Sequence, residues 1–366
     1  MRAIIKREIK NYLKNPVFLI GAVIVFVQLY LIFAPFLKLH YWNSEEELQN
    51  AKVEDQEGVP EYYITGDITE GFIKSSYDEK VDRALNLVRD DLVNHMGLSE
   101  KEADALLKEA REYGSTELEI GLYIEEKCGY LANNFLSLCQ VSEYRKATVD
   151  EVNTYMEESF EEESYTSKFS KKYADFMGLL LIAFSMILMA FLFIQDTRKN
   201  TYELLHTKPI SAESYILGKV LGGFAALMIP LVLFTTIFDV WAVLNGIKQG
   251  FPVSFLDMWK AALIYILPNL LMLISVYAGV AILFKNPLPA TPLLLLYMVY
   301  SNMGGRNAEG RYGFYGRPLA ILVRFPHNFM ELEAAPYAEL NQLFLLLASI
   351  GIILLTIFIW KRRRVY

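Results

Sequence analysis

The apolar run VFLIGAVIVFVQLYLIFAPF, Val17–Phe36, decides the fold of this chain. A transmembrane helix needs about 20 mostly apolar residues to cross a hydrocarbon layer of about 30 Å. This run has that length and contains no charged side chain. A secretory signal has a shorter apolar core and a small-residue cleavage site, so the run is predicted to be a retained membrane span.

Five further apolar runs follow, so the sequence predicts an all-α membrane protein with six transmembrane helices. Of the 366 residues, 54% are hydrophobic, and they are concentrated in these runs. Such runs are the sequence signature of helices that cross a membrane. The predicted spans are residues 17–37, 174–195, 220–243, 260–284, 287–303 and 342–360.

Lysine and arginine residues near the span ends predict the orientation of the chain. They cluster in residues 1–16, in the 196–219 loop, at Lys285 and in the tail 361–366. With six spans, all four places fall on one side, which the positive-inside rule makes cytoplasmic. The chain is therefore expected to be a multi-pass protein of the plasma membrane. Both of its termini are expected in the cytoplasm.

Residues 38–173, between the first two spans, are then predicted to form a helical extracytoplasmic domain. Apolar residues recur at helical spacing, and Ser or Thr is repeatedly followed three residues later by Glu, as in capping boxes. The apolar face is Val81, Leu85, Val88 and Leu92, and the boxes are Ser99/Glu102, Thr116/Glu119 and Thr148/Glu151. We expect Gly114 to end the helix that Ser99 begins.

This predicted outer domain is strongly acidic. Lys38–Lys172 holds 31 acidic and 15 basic residues, a net charge of -16, whereas the whole chain has -7. Such a surface attracts cationic ligands, or it only keeps the domain soluble. The sequence leaves both interpretations open.

Both cysteines of the chain, Cys128 and Cys139, lie in the same domain. Two cysteines on an outer face are compatible with a disulfide. Eleven residues along one straight helix span about 16 Å, beyond the ~7 Å limit between bridged Cα atoms. A bridge therefore requires a turn between them, and the alternative is two buried thiols.

The stretch ELLHTKPISAESYILGKVLG, Glu203–Gly222, predicts a short helix at the inner membrane surface. Pro209 ends this helix because proline has no backbone N–H to donate. Ser211 can cap the next helix, which continues into the third span, and Glu213 suits its first turn. A helix placed this way can pass motion to the neighbouring spans.

This stretch resembles the loop of ABC-2 type transporter permeases. In that family a short coupling helix precedes a Pro-hydrophobic-Ser step and an aliphatic run that ends in Gly-Lys, here Pro209–Ser211 and Gly218–Lys219. The opening IIKREIKNYLKNPVFLI is similar to the amphipathic inner-surface helix of the family. Its predicted apolar stripe is Ile5, Ile9, Tyr12 and Leu13.

The resemblance also extends to the outer loop at residues 304–341. It contains PLAILVRF, Pro318–Phe325, which is too short to span a membrane. Family members carry a re-entrant or interfacial helix at this position. The resemblance therefore implies such a helix before the last span.

The resemblance implies the permease subunit of an ATP-driven exporter, which moves substrate outward by alternating access. A separate ATPase subunit, in two copies, would supply the energy, and a second permease copy or a paralogue would complete the pore. Such a bare half-transporter is typical of bacteria. The residues expected to couple the chain to the ATPase are Thr201, Glu203, Leu204, Leu205, His206 and Pro209.

The sequence predicts no enzymatic activity for this chain alone. A P-loop requires G-x-x-x-x-G-K-[ST], and the only Gly-Lys pair, Gly218–Lys219, is followed by Val220. We therefore expect ATP and Mg on the partner subunit, and no cofactor or metal on this chain. Membrane lipids are expected partners and nucleic acids are not.

Polar residues inside the predicted spans are candidates for a substrate path, because burying them in lipid is costly. They are Asp239, Gln28 and Asn269. Alternatively, Asp239 marks the membrane boundary, and Gln28 and Asn269 form hydrogen bonds between helices. A second hypothesis is a sensor or resistance component that binds a peptide through its acidic outer domain. The sequence does not identify the substrate among peptides, ions, drugs and lipids.

Overall fold

The computed structural model describes residues 1–51, 66–197, 210–306, 312–313, 316–325, 327–333 and 336–363. The chain divides into two compact units. The first contains Met1–Leu39, Phe160–Gly304 and Phe314–Tyr366, and the second contains His40–Ser159 and Gly305–Gly313.

The described residues are mostly helical, and we label the elements in chain order. The helices are α1 Arg2–Lys14, α2 Pro16–Phe33, α3 Glu45–Gln49, α4 Tyr77–Asn94, α5 Glu100–Tyr113, α6 Glu117–Cys128, α7 Ala132–Val141, α8 Val149–Glu162, α9 Tyr165–Thr197, α10 Ala212–Gln249, α11 Asp257–Phe284, α12 Ala290–Asn302 and α13 Ala338–Arg363. The strands are β1 Phe72–Lys74, β2 Tyr144–Lys146, β3 Gly305–Arg306 and β4 Tyr312–Gly313, paired β1 with β2 and β3 with β4, both antiparallel.

Five helices in the described residues are long and apolar enough to cross a membrane: α2, α9, α10, α11 and α13. The chain is therefore a mostly helical, multi-pass membrane protein. The predicted fifth span, residues 287–303, contains the 13-residue helix α12. Its length of about 20 Å is less than the hydrocarbon thickness of about 30 Å. The count of six spans stays a prediction.

Local sequence signals set the ends of the long helices. The Asn15 side chain caps α2 by accepting a hydrogen bond from the Val17 N–H at 3.0 Å, and Pro16 occupies the first turn. The predicted cap of α10 is confirmed, because Ser211 Oγ accepts from the Ser214 N–H at 3.2 Å. That helix ends at Gly250, whose φ of 77° suits a residue without Cβ.

Aromatic side chains hold α2, α9 and α10 together. Phe33 is fully buried and lies with its ring centroid 5.2–6.5 Å from five other rings. These rings belong to Phe36, Phe169, Tyr173, Phe176 and Phe238. Tyr165 at the start of α9 donates a hydrogen bond from its hydroxyl to the Phe36 carbonyl at 2.8 Å.

The second unit is a helical domain with its own core, formed mainly by α4 to α7. The predicted apolar face of α4, Val81, Leu85, Val88 and Leu92, is buried in this core. The capping boxes at Ser99/Glu102 and Thr116/Glu119 are confirmed, and α5 ends at Gly114 as predicted. At the third box, the Thr148 N–H donates to Glu151 at 2.9 Å and the Glu151 N–H donates to Thr148 Oγ1 at 3.4 Å.

Cys128 and Cys139 lie on different helices, separated by a turn at Gly129 with φ of 78°. The structure has them as two thiols and not as a disulfide. Cys139 is buried and Cys128 is partly buried, with Sγ 3.2 Å from the Ile124 carbonyl. Of the two alternatives left open by the sequence, this is the arrangement with unbridged thiols.

Candidate functional site

The N-terminal helix α1 packs against the beginning of α10. The contact line on α1 is Ile4, Glu8 and Tyr12, spaced four residues apart on one face. Tyr12 and Glu8 are buried, whereas Ile5 and Ile9 are half-buried and Leu13 is exposed. The predicted stripe is therefore divided between two faces of α1. Tyr12 faces α10, whereas Ile5, Ile9 and Leu13 lie on the adjacent, more exposed face.

Three glycines of α10 permit this close packing. A Cβ atom added to Gly218 would lie 2.9 Å from Ile4 Cβ, and one added to Gly222 would lie 2.6 Å from Glu8 Cβ. At Gly223 it would lie 3.1 Å from the Tyr12 hydroxyl. Because real Cβ atoms do not approach that closely at the first two positions, glycine is required for the observed helix separation.

A buried ion pair lies at the centre of the α1–α10 contact. Lys219 Nζ is 3.0 Å from Glu8 Oε2, and the two side chains are 8% and 7% exposed. Next to it, the Tyr12 hydroxyl donates to the Met189 sulfur of α9 at 3.0 Å. A charge buried at this depth is tolerated when it is paired, so the contact is specific as well as tight.

The same first turns of α10 also contact the last helix, α13. The rings of Tyr215 and Trp360 stack with their centroids 4.4 Å apart. Lys361 forms an ion pair with Glu213, and both side chains are about half exposed. The beginning of α10 is thus fixed to α1 and to α13.

The predicted coupling residues Thr201, Glu203, Leu204, Leu205, His206 and Pro209 lie outside the described residues. Residue 210 is the first described position after them, and Ser211 caps α10 directly afterwards. The structure therefore describes the helix that receives this segment, not the segment itself.

A second site lies where residues 316–325 and 327–333, here called the pre-α13 segment, pack against α9. Asp175 of α9 is 2% exposed and accepts a hydrogen bond from the Phe325 N–H at 3.2 Å. Arg324 donates to Asp175 and also to the side-chain oxygen of Asn302, at the end of α12. The partly buried Arg324 thereby joins α9, α12 and the pre-α13 segment.

Lysines of α9 hold the rest of the pre-α13 segment by its backbone. Lys168 Nζ donates to the Met330 carbonyl at 2.6 Å, and Lys171 Nζ donates to the Leu332 carbonyl at 2.9 Å. Among the described residues between 304 and 337, helical geometry is limited to the single turn Phe329–Glu331. Pro318–Phe325, which was expected to be helical, instead consists of turns, bends and irregular backbone. Side chains outside the stretch bond its backbone: Tyr300 donates to the Pro318 carbonyl, Ser301 Oγ accepts from the Ile321 N–H, and Asp175 accepts from the Phe325 N–H.

The three candidate path residues are in different environments. Asp239 and Asn269 are buried, and each has one side-chain oxygen with no hydrogen-bond partner among the described residues. The Asn269 amide donates to the Tyr265 carbonyl of its own helix at 2.7 Å. Gln28 is exposed on α2. Asp239 and Asn269 are thus buried polar groups within apolar helices, whereas Gln28 does not share that environment.

Sequence reasoning missed the paired charges Glu8, Lys219, Asp175 and Arg324. Lys219 and Asp175 each lie at the edge of an apolar run, where a charge also has an ordinary role as a boundary marker. Glu8 is the only acidic residue among several basic ones in residues 1–16. This isolated charge was the one feature of the sequence that could have indicated a buried ion pair. The described residues contain no group of three or more His, Cys, Asp or Glu side chains that could hold a metal ion.

Comparison with known proteins decides the family. A family model described as ABC-2 family transporter protein matches residues 2–347. The chain belongs to this family. No curated protein and no solved structure matches the chain.

Membership in the ABC-2 transporter family assigns the general role of the chain. It is a multi-pass membrane permease of an ABC transporter, and its partner is an ABC ATPase subunit. The permease is not itself the ATPase of such a transporter.

Proposed function

We propose that this ABC-2 permease exports its substrate by alternating access, driven by a separate ATPase subunit. The observation that carries the proposal is the fixed start of α10, which follows the 198–209 segment directly and contacts both α1 and α13. A push on that segment would move three helices together. Such a contact is what a permease without its own ATPase motif requires.

The assembled transporter would contain two ATPase copies and two permease copies, the second being this chain or a paralogue. ATP and Mg would bind to the ATPase subunits. Thr201, Glu203, Leu204, Leu205, His206 and Pro209 would form the docking surface for the ATPase. Both termini would be cytoplasmic, and the source would be bacterial.

Substrate would pass the buried polar groups of α10 and α11 and leave beside the pre-α13 segment. Asp239 and Asn269 offer unpartnered oxygens in otherwise apolar helices. The bonds that Arg324, Lys168 and Lys171 form at the pre-α13 segment would hold the outer side closed. Opening would require these bonds to break or to rearrange.

A second candidate function is a sensor or resistance component with little transport. It is favoured by the acidic second unit, since Lys38–Lys172 has a net charge of -16. A surface of that sign raises the local concentration of cationic peptides. In that case ATP turnover would alter a downstream response without moving substrate across the membrane.

The test of the proposed function is affinity purification of the chain in mild detergent from its native membrane. We expect a stoichiometric subunit with a Walker A motif and vanadate-sensitive ATP hydrolysis. Replacing Leu204 and Leu205 with Asp should abolish this association while the chain still inserts in the membrane. Leu131→Asp, at an exposed leucine of the second unit, is the matched control and should leave the association unchanged.

Recovery of the chain alone, without an ATPase, would contradict the exporter function. Normal recovery of the ATPase with the Leu204→Asp, Leu205→Asp variant would contradict only the docking assignment. The two results are therefore separable.

A further inference from the structure

The Glu8–Lys219 pair joins two elements that are 211 residues apart in the sequence. Lys219 lies two turns inside α10, and Glu8 lies in the middle of α1. An amphipathic helix that only rests on a membrane surface needs no buried carboxylate. An anionic lipid surface favours basic side chains and repels an acidic one such as Glu8. The presence of Glu8 in α1 is therefore explained by its ion pair with Lys219.

The surrounding packing fits α1 closely in its observed register. Ile4 and Glu8 approach Gly218 and Gly222 so closely that α10 has no room for a Cβ atom at these two positions. A shift of α1 by one residue would break the ion pair between Glu8 and Lys219. Breaking an ion pair at a buried site is costly.

Because α10 follows the proposed ATPase-coupling segment, the seating of α1 has a consequence for transport. We infer that Glu8 and Lys219 are positioning residues, whose ion pair fastens α1 to the inner end of α10 so that both helices respond to the ATPase as one body. The inference rests on the proposed function for its second half only. The fastening itself is a property of this chain.

The fastening is tested by hydrogen exchange of the α1 amides in the purified permease. Glu8→Gln and Lys219→Gln should each accelerate exchange in α1 by about tenfold or more, because each breaks the buried ion pair between the two helices. The double variant Glu8→Lys, Lys219→Glu should recover most of the protection. Glu213→Gln, which breaks the exposed pair with Lys361, is the control and should change α1 exchange less than about twofold.

Unchanged α1 exchange in Glu8→Gln, or no recovery in the reversed pair, would overturn the inference. This measurement uses no ATPase and no substrate. It therefore decides the fastening even where the proposed function fails.

The one-body motion is tested in the complex with its ATPase, reconstituted in nanodiscs. Spin labels at Arg7→Cys of α1 and Leu221→Cys of α10, both exposed positions, are introduced in a Cys128→Ala, Cys139→Ala background, and their dipolar broadening reports the distance between the two helices. We expect this distance to be the same before and after vanadate trapping of the ATPase. Glu8→Gln should lower the kcat for ATP hydrolysis and leave the KM for ATP unchanged, since ATP binds to the other subunit.

A change of the distance between the labels on vanadate trapping would show that the two helices move apart and would overturn the one-body motion. Absence of ATP hydrolysis in the wild-type complex would instead contradict the proposed function. In that case the hydrogen-exchange result alone decides the fastening.

Discussion

Asp175 is a buried carboxylate of α9, and its hydrogen bonds explain how the chain tolerates it there. Its two oxygens accept bonds from the Arg324 guanidinium and from the Phe325 N–H. Removing the carboxylate would take away the acidic partner that the Arg324 guanidinium has on α9. Asp175→Ala should therefore lower the free energy of unfolding by about 3–5 kcal/mol, measured by denaturant unfolding in detergent micelles.

The control for Asp175→Ala is Lys172→Ala. Lys172 is on the same helix and donates to the His327 carbonyl at 3.1 Å from an exposed position. Its loss should cost about 1 kcal/mol or less. If the two substitutions lowered the free energy of unfolding equally, burial of Asp175 would not be the cause of the loss.

Glu151 in the second unit predicts a stability change at acid pH. Arg145 donates to it at 2.7 and 3.0 Å, and the Thr148 N–H donates at 2.9 Å. The Arg145 bonds, and then the backbone bond, lower the pKa of Glu151 from 4.5 to about 2. The folded state thus binds fewer protons than the unfolded state, so this stabilisation is complete above about pH 4.5 and is lost as the pH falls toward 2.

The measurement is hydrogen exchange of the second unit in the full-length protein between pH 6 and pH 3, corrected for intrinsic exchange. Glu151→Gln should remove part of the pH-dependent loss of protection near α8. Glu143→Gln, a nearby glutamate in the same unit, is the control. An identical pH profile for Glu151→Gln and the wild type would contradict the assignment.

For contacts between individual residues, the sequence predicted those within one helical turn and missed those between residues far apart in the chain. The Ser99/Glu102 and Thr116/Glu119 boxes could be predicted because both partners lie within one helical turn. The Arg324–Asp175 bond joins residues 149 positions apart. No spacing rule within one sequence can pair such residues.

The contact between α1 and α10 depends on the absence of a side chain at Gly222. A Cβ atom there would lie 2.6 Å from Glu8 Cβ and 3.4 Å from the Ile5 backbone. Gly222→Ala should therefore push α1 outward and destabilise the protein by about 1–3 kcal/mol. Unfolding in detergent measures the stability, and hydrogen exchange of α1 locates the change.

The matched substitution is Gly351→Ala in α13, where an added Cβ meets no atom within 4 Å. Alanine is favoured over glycine inside a helix by about 1 kcal/mol, so this variant should be neutral or slightly more stable. Destabilisation by both variants to the same extent would mean that the close helix approach is not the cause.

Helices were the most predictable elements, because apolar runs and caps determine them locally. The stripe of α1 was predicted less well, since two adjacent faces are apolar and only packing on α10 distinguishes Tyr12 from Leu13. The pre-α13 segment could not be predicted from periodicity. Its backbone bonds go to Lys168 and Lys171, which lie about 160 residues earlier.

The two units of the chain differ in where their apolar side chains lie. The first has exposed apolar side chains along α2, α10 and α13, as expected of helices that face lipid. The second encloses a conventional helical core and carries most of the acidic residues of the chain. Composition alone therefore distinguished the unit with the long apolar helices from the acidic unit, although it did not reveal the contacts within either.

The number of membrane crossings decides the topology of the whole molecule. Five crossings place the termini on opposite sides, whereas six place both in the cytoplasm, and the difference is whether α12 crosses. The basic residues at both ends favour six. A helix of 13 residues can complete a crossing where the local bilayer is thinned or where its ends are buried in protein.

Cysteine labelling of intact cells tests this topology, in a Cys128→Ala, Cys139→Ala background. A membrane-impermeant maleimide should label Lys101→Cys, on the exposed side of α5, without permeabilisation. Arg2→Cys and Lys361→Cys should react only after permeabilisation if both termini are cytoplasmic. Labelling of Lys361→Cys but not Arg2→Cys in intact cells would mean that α12 does not cross, and the positive charges of the tail would then lie outside against the usual preference.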